Sequence, residues 1–150
     1  EWAYSCGCKG IDYKRVRDTR AGIGTLVHDM IEWELTGKEP DIVILGCPHA
    51  SLREISAVAE KLKGKTLRKP VWVCTSRMMK EAAERMGYSD IIEKAGGHIV
   101  ADTCMVVSPI EDMGYKTTGV NSGKAGNYLP GFCKQNVCFA NLHKLLEAAL

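Results

Sequence analysis

Apolar positions along the chain fall into two patterns. Short unbroken runs bounded by glycine or proline read as strands covered on both faces. Ile42–Leu45, Val71–Cys74 and His98–Ala101 are of this kind, and Asn136–Ala140 is a shorter candidate. Other stretches repeat at helical spacing. Gly24–Leu35 places Leu26, Val27, Met30, Ile31 and Trp33 on a wide stripe, with Gly37 and Pro40 as stop signals. Ser51 to Lys63 places Leu52, Ile55, Val58, Ala59 and Leu62 on one face and ends at Gly64. Arg77–Met86 and Asp90–Ala95 follow the second strand, and Gly96-Gly97 breaks the latter. Asn141 caps a last helix whose Leu142, Leu145, Leu146 and Ala149 face the core. The order helix–β–α–β–α–β predicts an α/β fold, a parallel sheet flanked by helices in three layers. Residues 108–131 are polar and glycine-rich, and predict one long functional loop.

The stretch from Asp41 to Glu54 has the densest chemistry. A buried strand ends at Gly46, Pro48 prevents the sheet ladder from continuing, and Ser51 with Glu54 forms a capping-box pattern. The turn between presents a thiol (Cys47), an imidazole (His49) and a hydroxyl (Ser51). Strand-to-helix ends are where open α/β sheets carry out chemistry. A second cysteine, Cys104, follows the third strand in Asp102-Thr-Cys. If all strands share one parallel sheet, Cys47 and Cys104 lie on the same edge. Within the glycine-rich stretch, Gly119-Val-Asn-Ser-Gly-Lys124 is close to a Walker A loop but has one residue too few, and Ala125 stands where Ser or Thr would hold magnesium. Ser122 and Lys124 can still bind a carboxylate or phosphate.

Composition narrows the class. The 150 residues are 45% hydrophobic and 25% charged, as expected for one globular domain, 1–150. A net charge of +2 gives no reason to invoke nucleic acid, and no apolar run is long enough to span a membrane. Lys14, Arg15, Arg17 and Arg20 read as a solvated basic face. The seven cysteines (Cys6, Cys8, Cys47, Cys74, Cys104, Cys133 and Cys138) are odd in number and contain no C-x-x-C pair. A disulfide framework or zinc ribbon is therefore not supported, and a reducing cytoplasm fits best. Cys6-Gly-Cys8 reads as loop cysteines, and His28, Cys133 and Cys138 as structural. The chain opens on Glu1 and its last helix runs to Leu150, so a fragment of a longer protein is expected.

Three motifs in order, Gly46-Cys-Pro-His-Ala-Ser51, Asp102-Thr-Cys104 and Asn121-Ser-Gly-Lys-x-x-x-Tyr-Leu-Pro-Gly131, resemble those of the aconitase X family. The resemblance covers about 40–150, with 1–40 a poorly matching helical lead-in, and it departs from the family at Asn127. It implies the C-terminal part of a large catalytic subunit with an aconitase-like fold. The implied activity is a hydro-lyase acting on a small hydroxy acid: mevalonate 5-phosphate, or alternatively cis-3-hydroxy-L-proline. The resemblance also implies an iron–sulfur cluster held by three cysteines, [4Fe-4S] ahead of [2Fe-2S]. Cys47 and Cys104 would be two of its ligands, with the third outside this chain. His49, Ser122 and Lys124 would be catalytic, and Ser51, Asn121, Gly123 and Tyr128 would contact substrate. A small swivelling-domain subunit would supply the base. Two other readings stay open: a cysteine nucleophile at Cys47 beside His49, and a non-catalytic α/β module that binds a partner subunit.

Overall fold

The computed structural model describes residues 39–47 and 49–150. The helix expected over Gly24–Leu35, the Cys6–Cys8 pair, His28, the basic cluster around Arg17, and Pro48 lie outside the described residues.

The sheet has five parallel strands. They are β1 (Ile42–Leu45), β2 (Val71–Thr75), β3 (His98–Ala101), β4 (Thr117–Val120) and β5 (Asn136–Phe139). Their spatial order is β3-β2-β1-β4-β5. The helices are α1 (Leu52–Leu62), α2 (Arg77–Arg85), α3 (Tyr88–Lys94), α4 (Gly123–Cys133) and α5 (Leu142–Ala149). A 3₁₀ turn, Met105–Val107, follows β3.

Alternation along the strands feeds two cores. Val43, Leu45, Val71, Val73 and Ile99 face one side, where Ile55, Val58 and Leu62 of α1, Ala83 of α2, Ile92 of α3, and Leu145 and Leu146 of α5 cover them. Ile42, Ile44, Cys74, Val120 and Phe139 join the second core, closed by Met105, Ile110 and Ala125, Leu129 and Cys133 of α4. The central strand β1 is fully buried, which explains why it carries no alternation in sequence. The expected parallel sheet with helices on both faces is thus what the chain forms.

One expectation is corrected. Residues 108–131 are not a single loop: they contain β4 and most of α4. Thr117-Thr-Gly-Val120 lacks an apolar run, yet all four residues are buried. Thr118 Oγ1 donates to Gln135 Oε1 at 3.0 Å, and Gln135 Nε2 donates to the Tyr115 carbonyl at 2.8 Å, so the buried polar atoms are paired. Asp41 clamps the start of β4 by accepting the Lys116 and Thr117 N–H groups, both at 2.9 Å. In α4, three glycines and Pro130 all oppose helix formation. Burial of Ala125, Leu129 and Cys133, spaced four apart, overrides them.

Candidate functional site

The chain leaves β1 and β4 toward opposite sides of the sheet: β1 leads through α1 to β2, and β4 through α4 to β5. Their carboxyl ends therefore diverge into a crevice, the switch point at which α/β sheets bind ligands. A cleft of about 260 Å³ lies there. Gly46, Cys47, His49 and Glu54 form one wall, and Asn121, Ser122 and Gly123 the other. A larger groove of about 460 Å³, with Trp72, His98 and Tyr115 in its lining, contains none of the candidate residues. It is lined from residues at the starts of β2 and β3, the edge opposite the switch point. The smaller cleft is therefore the candidate site.

The first wall is shaped by Gly46. Its φ is +83°, and a Cβ there would collide with the Cys74 carbonyl oxygen and stand 2.7 Å from the Ala50 nitrogen. Only glycine lets the turn fold back this tightly. Ala50 N–H donates to that same Cys74 carbonyl at 2.8 Å, and Thr75 Oγ1 donates to the Ala50 carbonyl at 2.6 Å. The turn carrying Cys47 and His49 is thereby pinned to the end of β2. Beyond it, Ser51 accepts the Glu54 N–H at 3.3 Å, and Glu54 Oε2 accepts from both the Ser51 N–H and hydroxyl at 2.8 Å. The second wall starts α4: Ser122 is its N-cap and accepts the Ala125 N–H at 3.4 Å. The N-terminus of α4 thus opens on the cleft with a partial positive charge suited to an anion, whereas at α1 the Glu54 carboxylate offsets it.

Five of the nine sequence candidates meet here: Cys47, His49, Asn121, Ser122 and Gly123. The other four stand elsewhere. Ser51 is exposed and its hydroxyl is engaged, as donor and acceptor, within the capping box. Lys124 is the exposed second residue of α4, one position beyond the cleft wall. Tyr128 lies further along α4 and packs edge-on against Phe132 with ring centroids 5.7 Å apart. Cys104 sits past the end of β3, on the same sheet edge as Cys47 but with β2 between them.

A buried thiol fills that interval. Cys74 is 1% exposed, and its pKa is pushed up to about 11, first by burial and then by the charges of Cys104 and Cys47. Cys74 therefore stays a neutral thiol between two others. Cys104 Sγ accepts the Val106 N–H at 3.4 Å. Burial, then Glu111 and Cys104, also raises the Cys133 thiol, which donates to the Val106 carbonyl at 3.4 Å. Among the described residues, no group of three or more His, Cys, Asp or Glu could hold a metal ion. Cys47 and Cys104 are half-buried free cysteines on one sheet edge, donors of the type that an iron–sulfur cluster takes.

Sequence reasoning missed three features. Glu54 reads only as a capping residue, yet it lines the cleft. Cys74 reads as a strand residue. Asp102 reads only as the first residue of the Asp102-Thr-Cys104 motif, with no role of its own.

The aconitase X third-domain model matches residues 40–150. The chain belongs to the aconitase X family. It is 48% identical over 142 residues to the phosphomevalonate dehydratase large subunit of Methanocaldococcus jannaschii, covering 95% of this chain and 35% of that protein. It is 33% identical over 114 residues to the cis-3-hydroxy-L-proline dehydratase of Pseudomonas aeruginosa, covering 73% of this chain and 20% of the other. The crystal structure of Thermococcus kodakaraensis aconitase X in its holo-form superposes with a TM-score of 0.74 at 35% identity, covering 81% of this chain and 32% of that one. The chain thus spans about a third of the aconitase X large subunit it matches most fully among these. These aconitase X relatives are named as dehydratases, which are hydro-lyases. Among the described residues, no helix is long and apolar enough to cross a membrane.

Proposed function

We propose that this chain is part of an iron–sulfur-dependent hydro-lyase that dehydrates mevalonate 5-phosphate to trans-anhydromevalonate 5-phosphate. The observation that carries this reading is the cleft at the β1–β4 switch point, where Cys47 and His49 face Asn121, Ser122 and Gly123. The substrate follows from similarity: the phosphomevalonate relative is 48% identical and the hydroxyproline relative 33%.

Cys47 and Cys104 would hold two positions of a [4Fe-4S] rather than a [2Fe-2S] cluster, with the third cysteine outside this chain. When bound, such a cluster supplies an open iron that acts as a Lewis acid on the substrate hydroxyl. The N-terminus of α4, with Asn121, Ser122 and the Gly123 N–H, binds the substrate carboxylate and stabilises charge that develops next to it. Lys124, exposed one position beyond the cleft wall, meets the phosphate outside the cleft, and Tyr128 borders the outer approach. His49, exposed at the cleft mouth, donates a proton to the departing hydroxyl so that it leaves as water. Ser51 holds the His49 turn on α1. A small swivelling-domain subunit supplies the base that removes the proton from carbon. The free cysteines among the described residues support a cytoplasmic location for the assembly.

One feature favours the hydroxyproline reading. Glu54 puts a carboxylate in a cleft whose lining contains no lysine or arginine, which suits a substrate ammonium. The test is the complete polypeptide with its small subunit, reconstituted anaerobically with iron and sulfide and offered each substrate, with loss of one water followed by mass spectrometry. Turnover of mevalonate 5-phosphate by a brown protein is expected. A colourless protein, or a spectrum unchanged by both Cys47→Ser and Cys104→Ser, sinks the cluster assignment. Turnover of hydroxyproline alone replaces the substrate.

A further inference from the structure

We propose that Asp102 is a positioning residue: its left-handed backbone and anchored carboxylate fix Cys104 relative to Cys47 across the end of β2. Only two non-glycine residues among those described have positive φ, Asp102 (55°) and Lys134 (52°). Lys134 caps the end of α4, an ordinary place for this conformation. Asp102 ends a strand instead, where the chain turns out of the sheet toward Cys104. Glycine would adopt this turn without strain, so the chain retains a side chain at some cost.

The side chain forms a clamp. Asp102 Oδ1 accepts the Arg77 backbone N–H at 2.9 Å, and Oδ2 accepts Arg77 Nε at 3.1 Å. Its own N–H donates to the Thr75 carbonyl at 2.9 Å. Thr75 in turn donates through Oγ1 to the Ala50 carbonyl, whose N–H is bonded to Cys74. One continuous set of hydrogen bonds therefore laces the end of β3 to the end of β2 and on to the turn that carries Cys47. Ser76 accepts the Met79 N–H, and Asp102 takes a second unpaired N–H at the start of α2, that of Arg77, from outside the helix, so the clamp ties the end of β3 to α2 as well as capping it. What the clamp adds is a fixed register between two turns, each bearing a half-buried thiol.

This inference rests on the proposed role of Cys104, and the experiment separates the two. In the complete polypeptide, Asp102→Gly removes the carboxylate and relieves the backbone, while Asp102→Asn keeps an acceptor and tolerates positive φ. Three readouts are compared with wild type: iodoacetamide labelling of Cys104 in the cluster-free protein, the electron paramagnetic resonance spectrum after reconstitution, and bleaching by a chelator. For Asp102→Gly, labelling and bleaching accelerate about tenfold and the spectrum shifts, while Asp102→Asn restores most of the wild-type behaviour. Wild-type labelling and spectrum in Asp102→Gly overturn the positioning role and leave the cluster reading intact. Equal impairment of both variants, in proportion to lost thermal stability, also overturns it, as that marks a merely structural residue. If wild type holds no cluster, the proposed function fails, and labelling of Cys104 alone decides the role of Asp102.

Discussion

Replacing Gly46 by alanine tests the architecture of the site most directly, and Gly64→Ala is its internal control. Both glycines have positive φ, +83° and +72°. Alanine in that region costs roughly 1–2 kcal/mol at either position. The surroundings differ. A Cβ at Gly64 meets nothing within 4 Å, whereas at Gly46 it runs into the Cys74 carbonyl and the Ala50 nitrogen. Those two atoms are the partners of a 2.8 Å hydrogen bond, so the methyl group must drive them apart. Separating them leaves a buried donor and acceptor unpaired, at roughly 1–3 kcal/mol. The totals are about 1–2 kcal/mol for Gly64→Ala and about 2–5 kcal/mol for Gly46→Ala. Urea denaturation of the 150-residue chain resolves this difference, because m-values of about 1–3 kcal/mol/M convert it into a midpoint separation of roughly 0.3 M or more. Gly46→Ala should also displace Cys47 and His49 and abolish turnover in the complete enzyme, while Gly64→Ala leaves turnover unchanged. Equal midpoints for the two variants would refute the pinned turn.

Removing the Ser51 hydroxyl dismantles one half of the capping box; Ser51→Ala should lower stability by about 1 kcal/mol, measured by urea titration, and the loss should not be rescued by substrate. Thr75→Val keeps the shape of a fully buried side chain but leaves the Ala50 carbonyl without its 2.6 Å donor. It should cost about 1–3 kcal/mol and speed hydrogen exchange at Ala50 more than at Val73. Cys74 sets an alkaline limit. Its folded pKa of about 11 lies above the 9.0 of an ordinary thiol, so the folded state holds the proton more tightly. The associated stability is whole below pH 9 and is lost as pH rises through 11, a fall of about 2–3 kcal/mol. Cys74→Ala should flatten that dependence, and an unchanged slope between pH 9 and 11 counts against it.

Elements with strong local signals were legible in the sequence. β1 and β3 have the bounds their apolar runs predict, and α1 follows the capping box of Ser51 and Glu54. The shared edge of Cys47 and Cys104 was legible too, because strands of one parallel sheet all end on one side. β4 and α4 were not. Thr117 and Thr118 are both buried, and Thr118 pairs with Gln135 seventeen residues on, which no window of sequence around them reveals. Gly123, Gly126, Pro130 and Gly131 all point away from helix, and contacts with β4, β5 and the Met105–Val107 turn make α4 favourable.

That failure had a consequence for the site. Read as loop, Asn121–Gly123 could be credited only with flexible anion binding by glycine N–H groups and the Lys124 ammonium. Read as the end of β4 and the start of α4, the same residues become a rigid wall beside β1. The positive charge then comes chiefly from fixed backbone groups, because Lys124 is carried outward while the first N–H groups of α4 stay at the cleft. A fixed dipole needs no reorganisation as negative charge grows on a substrate, whereas an exposed lysine must give up water and rotamer freedom to respond. On the proposed function, Lys124→Ala should therefore lower turnover of the complete enzyme less than Ser122→Ala at the β4–α4 junction, and an equal or larger loss for Lys124→Ala would count against the fixed dipole as the main source of positive charge.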